Sequence, residues 1–184
     1  MPLTIRTATE EDIGAVSKLD ATYAAGQRVL SLSRSGTRPE LTFSLRWRTG
    51  APREALYGDY TEERIRRALA KTDLFLVAVK GAAVAGLLMV VVPDWTDAGE
   101  ITDLVVDRSS RRRGAGRALF HAAADWARER SLRALWVEPR AENADAIDFY
   151  TALGFRVSGF NDRLHANTDD AEGRPTILMY RELR

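Results

Sequence analysis

Cysteine is absent from this 184-residue sequence, which excludes a disulfide framework, a thiolate nucleophile and any cysteine-based metal site. Histidine is nearly absent too. His121 and His165 are the only two, too few for a histidine-rich metal centre, so no metal is expected. An excess of one charge is also missing. The 27 Lys+Arg and 26 Asp+Glu leave a formal +1, which gives no global electrostatic reason for nucleic-acid binding. Leu87–Val92 is apolar but far too short to span a membrane, and Met1–Asp12 turns polar at once, unlike a secretory signal. A cytoplasmic protein with no membrane or nucleic-acid partner is expected, with residues 1–184 forming one α/β domain.

What is present is concentrated in Gly99–Leu119. Ile101, Leu104, Val105 and Val106 surround Asp103 as in a strand with one face buried, and Asp107–Ser110 ends it. Arg111-Arg112-Arg113-Gly114-Ala115-Gly116-Arg117 then leads into the helical pattern that begins at Ala118-Leu119-Phe120. A strand, a turn of exposed N–H groups and an open first helical turn form a natural anion cradle. Gly114 and Gly116 permit close approach, and the arginines add charge and donors. The alternative is a solvated basic loop. Neither GxxxxGK[ST] nor GxGxxG is present.

Along the rest of the chain, Leu3-Thr4-Ile5-Arg6 alternates as a strand. Thr9 with Asp12 predicts a capped helix continuing through Ile13, Val16, Leu19 and Tyr23. Gly26–Gly58 is rich in Ser, Gly and Pro yet carries Phe43 and Trp47, and is expected to be partly helical. Thr61 caps a helix, and Leu74–Val79 and Val84–Val92 form a hairpin with Gly86 at a bulge or close approach. Leu132–Glu138 is a strand, Asn143 starts a helix that Gly154 stops, and strands open at Phe155 and span Thr176–Tyr180. Asn161–Gly173 between them is a polar loop. The order fits an α/β (α+β) fold with a mixed, mainly antiparallel central sheet and helices on both faces.

The strand and the Arg111–Gly116 turn resemble the GNAT superfamily of acetyl-CoA-dependent N-acetyltransferases, whose pyrophosphate loop reads [Q/R]xxGx[G/A]. The GNAT-like order of elements extends the resemblance over most of the chain. Asp103–Val106, Phe149-Tyr150, Gly154-Phe155 and Thr176–Tyr180 look most like streptothricin-type acetyltransferases, although Thr102-Asp103 stands where those carry an acidic pair. The resemblance implies acetyl-CoA as donor cosubstrate, held at Arg111, Arg112, Arg113, Gly114, Ala115, Gly116 and Arg117, chiefly by main-chain amides. Leu104, Val105 and Val106 would pair with the pantetheine arm, with the Val105 amide as oxyanion donor. Asn143 would touch the cofactor arm or simply cap its helix. Tyr150 would donate the proton to the departing thiolate, or be an ordinary core tyrosine. Glu100, Asp103 and Glu138 are candidate acids for taking the amine proton or attracting a cationic amine. The implied acceptor is a small primary amine such as a streptothricin-like antibiotic or a polyamine. A protein or peptide amine, and a non-catalytic acyl-CoA-binding regulatory module, are the alternatives. Either a monomer or a homodimer is compatible with the resemblance.

Overall fold

The computed structural model describes residues 2–37, 40–165 and 175–183. In chain order the elements are β1 (Leu3–Thr7), α1 (Ile13–Val16), β2 (Thr22–Ala25), β3 (Arg28–Ser35), β4 (Thr42–Thr49), β5 (Arg53–Leu56), α2 (Glu62–Lys71), β6 (Leu74–Lys80), β7 (Ala83–Val91), β8 (Ala98–Val106), α3 (Ala115–Glu129), β9 (Ala134–Val137), α4 (Ala144–Ala152), β10 (Arg156–Asn161) and β11 (Thr176–Glu182). They fall into two compact units. Met1–Thr22, Leu56–Trp136 and Arg181–Arg184 form the first; Tyr23–Ala55 and Val137–Tyr180 form the second.

The first unit holds strands in the order β1-β6-β7-β8-β9, antiparallel except for the parallel β8–β9 pair. Alternation along the strands builds two cores. Phe75, Val77, Leu87, Met89 and Val105 pack with Ile13 and Val16 of α1 and Ile65 of α2. On the opposite pleat Leu74, Leu76, Leu88, Val90 and Ile101 are buried, and α3 covers the sheet with Leu119, Phe120, Ala123, Ala124 and Ala127. Helices on both faces of a mainly antiparallel sheet are thus observed, as the sequence predicts.

Local chemistry sets the element ends. Asp12 accepts the Thr9 N–H at 2.8 Å and two Arg6 guanidinium bonds at 2.7 Å. The Arg6 hydrogen bonds hold its carboxyl below the usual carboxylate range despite burial. The helix predicted to reach Tyr23 stops at Val16. Beyond it, Asp20 Oδ1 accepts from the Thr22 N–H at 3.0 Å and the Thr22 hydroxyl at 2.5 Å, turning the chain into β2 instead. Thr61 caps α2 by accepting the Arg64 N–H at 3.3 Å. Gly86 lies where β6 and β7 shift register, and a Cβ there would sit 2.6 Å from the Val105 carbonyl oxygen. Because that oxygen is backbone, it cannot step aside cheaply. Gly86→Ala is expected to destabilise the chain by about 1–3 kcal/mol, read as a lowered urea midpoint with an unchanged m-value.

The second unit contains the β3–β4 ribbon, the β2–β5 pair, the β10–β11 hairpin and α4. The partly helical segment expected over Gly26–Gly58 is therefore mostly strand. Leu30 and Leu32 alternate with Ser31 and Ser33, and Phe43, Leu45 and Trp47 alternate with Ser44 and Arg46, a period of two rather than 3.6. Asn143 caps α4 through Oδ1, which accepts the Ala146 N–H at 3.1 Å, and Gly154 ends it at φ +89°. Of the polar loop expected over Asn161–Gly173, residues 166–173 lie outside the described residues.

Candidate active site

The first unit's site is built on β8. Leu88, Met89, Val90 and Val91 of β7 oppose Leu104, Asp103, Ile101 and Glu100, so Thr102 is an extra residue with no partner. Three apart, Glu100 and Asp103 would face opposite sides of a regular strand. With the bulge between them they share the side of Met89 and Val105. The phenol of Tyr57 donates to the Thr102 carbonyl at 3.0 Å, fastening the bulge.

Asp103 is only 6% exposed. Its Oδ1 accepts the Tyr60 hydroxyl at 2.6 Å and Arg64 Nη2 at 3.1 Å. Arg64 also lies over the Tyr60 ring, 4.7 Å from its centroid, and donates to the Asp59 carbonyl at 3.0 Å. Burial, reinforced by the Asp103 charge, drives the Tyr60 phenol far above its ordinary value, so Tyr60 stays protonated and gives its hydroxyl hydrogen to Asp103. Sequence reasoning missed Tyr57 and Tyr60, and it read Arg64 only as one of a basic cluster with Arg66 and Arg67, not as a partner of Asp103. One signal existed: Tyr60 precedes the Thr61 cap and Ile65 is the fourth helical residue, the two ends of a hydrophobic staple, and both sit in one core cluster.

Past Glu100 the second edge of β8 is open, because pairing with β9 covers only Ala98–Glu100. The Asp107 N–H bonds the Ala85 carbonyl at 2.9 Å and continues the β7–β8 register. Antiparallel alternation then turns Val105 toward β7 and leaves the main-chain groups of Leu104 and Val106 facing the open edge. The Val105 amide is therefore directed away from where an oxyanion donor was expected. The outward amides are those of Leu104 and Val106.

The turn that follows is ordered by its own side chains. Asp107 accepts the Ser109 N–H at 3.0 Å, the Ser109 hydroxyl at 2.6 Å and the Asp20 N–H at 3.0 Å. Arg111 donates through Nε to the Val106 carbonyl at 2.9 Å and through Nη2 to the Asp20 carbonyl at 3.3 Å. Its guanidinium shapes the loop. Arg112 and Gly114 both have positive φ, +61° and +89°. Gly114 occupies the N-cap position without a side chain to cap with, so the first-turn amides of Ala115, Gly116 and Arg117 open outward. Arg112, Arg113 and Arg117 are exposed around this mouth. An anion with several acceptor oxygens fits such a cradle.

The second unit carries Asn143 and Tyr150. Tyr150 is buried, with its ring edge-on to Phe149 and Phe155, both at 5.3 Å between centroids. Just before Asn143, the buried Glu142 pairs with Arg53 at 2.6 Å, and its carbonyl accepts the Gly26 N–H at 3.1 Å. Burial raises the carboxyl of Glu138. The sequence-predicted residues thus divide. Glu100, Asp103, Leu104–Val106 and Arg111–Arg117 belong to the first unit, and Asn143 and Tyr150 to the second.

Residues 40–155 match the acetyltransferase (GNAT) family. The chain belongs to that family. Among curated members it is 34% identical over 110 residues to the streptothricin acetyltransferase of Streptomyces lavendulae, covering 60% of this chain and 58% of that protein. It is 36% identical over 76 residues to the [ribosomal protein bS18]-alanine N-acetyltransferase of Escherichia coli strain K12, covering 41% of this chain and 51% of that protein. The chain thus spans little more than half the length of either. A Bacillus anthracis str. Ames structure, assigned as a streptothricin acetyltransferase and holding acetyl coenzyme A, superposes with a TM-score of 0.78 at 20% identity, covering 99% of this chain and 98% of that one. This GNAT member shares its mixed α/β architecture. Among the described residues no helix is long and apolar enough to cross a membrane, and no cluster of His, Asp or Glu could hold a metal ion.

Proposed function

We propose that the chain is an acetyl-CoA-dependent N-acetyltransferase, one domain over residues 1–184, that passes the acetyl group directly to the primary amine of a small molecule. A streptothricin-like antibiotic or a polyamine is the acceptor class this reading favours, and the cytoplasm the location it implies. The observation that carries it is the uncapped first turn of α3 at the end of a strand whose edge is open, in a GNAT chain. The amides of Ala115, Gly116 and Arg117 receive the donor's diphosphate, with Arg112, Arg113 and Arg117 as surrounding charge. Leu104 offers its main-chain groups to the pantetheine arm and Val106 its N–H, the Val106 carbonyl being held by Arg111, and these outward N–H groups take the oxyanion role in place of Val105.

In the reaction the neutral amine nitrogen attacks the thioester carbonyl, the tetrahedral oxyanion collapses and the C–S bond breaks. Tyr150 supplies the proton that the leaving thiolate takes up. Glu100 receives the amine proton directly or through water. Asp103 already accepts bonds from Tyr60 and Arg64, so its part is to hold that side of the strand in place while adding negative charge near the acceptor. Asn143 fixes the start of the helix that bears Tyr150.

Free CoA release measured across streptothricin, aminoglycosides, polyamines, amino acids and N-terminal peptides tests this. Turnover with a small amine is the expected result, and transfer to peptides alone overturns the acceptor class. The likeness to the bS18-alanine acetyltransferase favours the peptide amine as second reading. Affinity for CoA with no turnover on any amine favours the regulatory module.

A further inference from the structure

We propose that the free edge of β4 pairs antiparallel with β4 of a second copy of this chain, joining two β3–β4 ribbons into one four-stranded sheet about a twofold axis at Leu45. Three observations in the second unit carry this. First, β4 spans Thr42–Thr49 and among the described residues pairs with β3 alone. Such an edge presents a row of unused donors and acceptors, and proteins normally blunt it with proline or charge. Here there is no proline, and the two charges, Arg46 and Arg48, fall on one face only.

Second, the bond pattern shows which groups are free. The Gly50 N–H bonds the Gln27 carbonyl at 3.2 Å, continuing the β3–β4 register. By alternation Thr42, Ser44, Arg46 and Arg48 bond β3, while Phe43, Leu45 and Trp47 direct their N–H and C=O groups outward. The Leu30 N–H agrees: it opposes Trp47, points away from β4 and bonds the Ala141 carbonyl at 3.0 Å.

Third, one register is self-complementary, as a twofold interface requires. With Leu45 opposite Leu45, Phe43 meets Trp47 and exchanges both main-chain bonds with it. Ser44 meets Arg46, and Thr42 meets Arg48, so no like charges oppose. Moving the axis one residue to Arg46 sets Arg46 against itself in the closer, non-bonded type of pair, which is disfavoured. Phe43 packs against Phe160, 5.1 Å between centroids, and Arg28 lies 4.4 Å over the Trp47 ring, yet the two rings remain 44% and 40% exposed, so the new aromatic pairs cover the apolar surface that these contacts leave facing water.

Sedimentation equilibrium of the full chain from micromolar to millimolar concentration tests the pairing. A reversible dimer is expected. Ser44→Glu places a carboxylate opposite Arg46 of each partner and should tighten the dimer by about two- to tenfold, and Ser44→Arg should weaken it by a similar factor. Leu45→Pro removes an outward N–H that the β3–β4 ladder does not use, and should abolish the dimer while circular dichroism keeps the strand signal. Because Ser44 lies on the polar face, its variants read the interface even if the proline variant misfolds. A monomer at every concentration, a dimer indifferent to both Ser44 changes, or a monomer whose edge captures an extended peptide instead, overturns the proposal.

Discussion

Gly116→Pro is expected to weaken acetyl-CoA binding by about 10- to 100-fold, whereas Arg113→Ala costs less than about threefold. A hydrogen bond to a charged group is worth about 1.5–3 kcal/mol, and 1.4 kcal/mol is a factor of ten in affinity. If the diphosphate is held by first-turn amides, deleting one N–H should show in full. Proline suits this test because Gly116 is the second residue of α3, where the N–H has no partner within the helix and the fixed φ of proline matches the helical value. Replacing a glycine lowers the entropy of the unfolded chain, which offsets the cost of setting the helical Ala115 before a proline, so the melting temperature should move by only a few degrees. Arg113, by contrast, is an exposed side chain at the rim whose contribution is screened by salt. Calorimetric titration with acetyl-CoA checks both variants. An unaffected proline variant beside a crippled Arg113→Ala would move the grip from main chain to side chain and sink the cradle as drawn.

Tyr150→Phe should lower kcat by about 10²- to 10⁴-fold while leaving the KM for acetyl-CoA within a few-fold, the range for losing one general acid. The ring contacts with Phe149 and Phe155 survive the loss of the hydroxyl, so folding is preserved. A donor whose thiol leaves readily without protonation separates chemistry from structure. An aryl thioester binds more weakly for lack of the diphosphate, but with it the gap between the variant and the unaltered enzyme should shrink to within a few-fold. Equal losses with both donors, or full activity at all pH values with acetyl-CoA, would assign Tyr150 to packing alone.

Much of the fold was legible because its signals are local. Apolar runs gave β6, β7 and β8, spacing gave α3, and Thr61, Asn143 and Gly154 marked helix ends where their side chains or backbone freedom act. The turn before α3 was legible for the same reason, since glycine at positive φ leaves a trace in sequence. Two errors have physical causes. Over Gly26–Gly58 the Ser, Gly and Pro content masked the alternation of Phe43, Leu45 and Trp47. After Val16 the Asp20–Thr22 bonds ended a helix whose apolar spacing continued. The network around Asp103 was illegible, because Tyr60 and Arg64 reach it only through tertiary packing. So was the unpaired Thr102, and with it the direction of the Val105 amide.

Thr102 gives β8 two phases along one backbone. Upstream of it the odd-numbered Ile101 looks toward α3; downstream the odd-numbered Asp103 and Val105 look toward α1 and α2. The alliance of the two acids is thus a matter of parity. A GNAT strand with the same letters but no bulge would send its carboxylates to opposite sides, so aligning acids by column across such enzymes is meaningful only after the bulges have been aligned first.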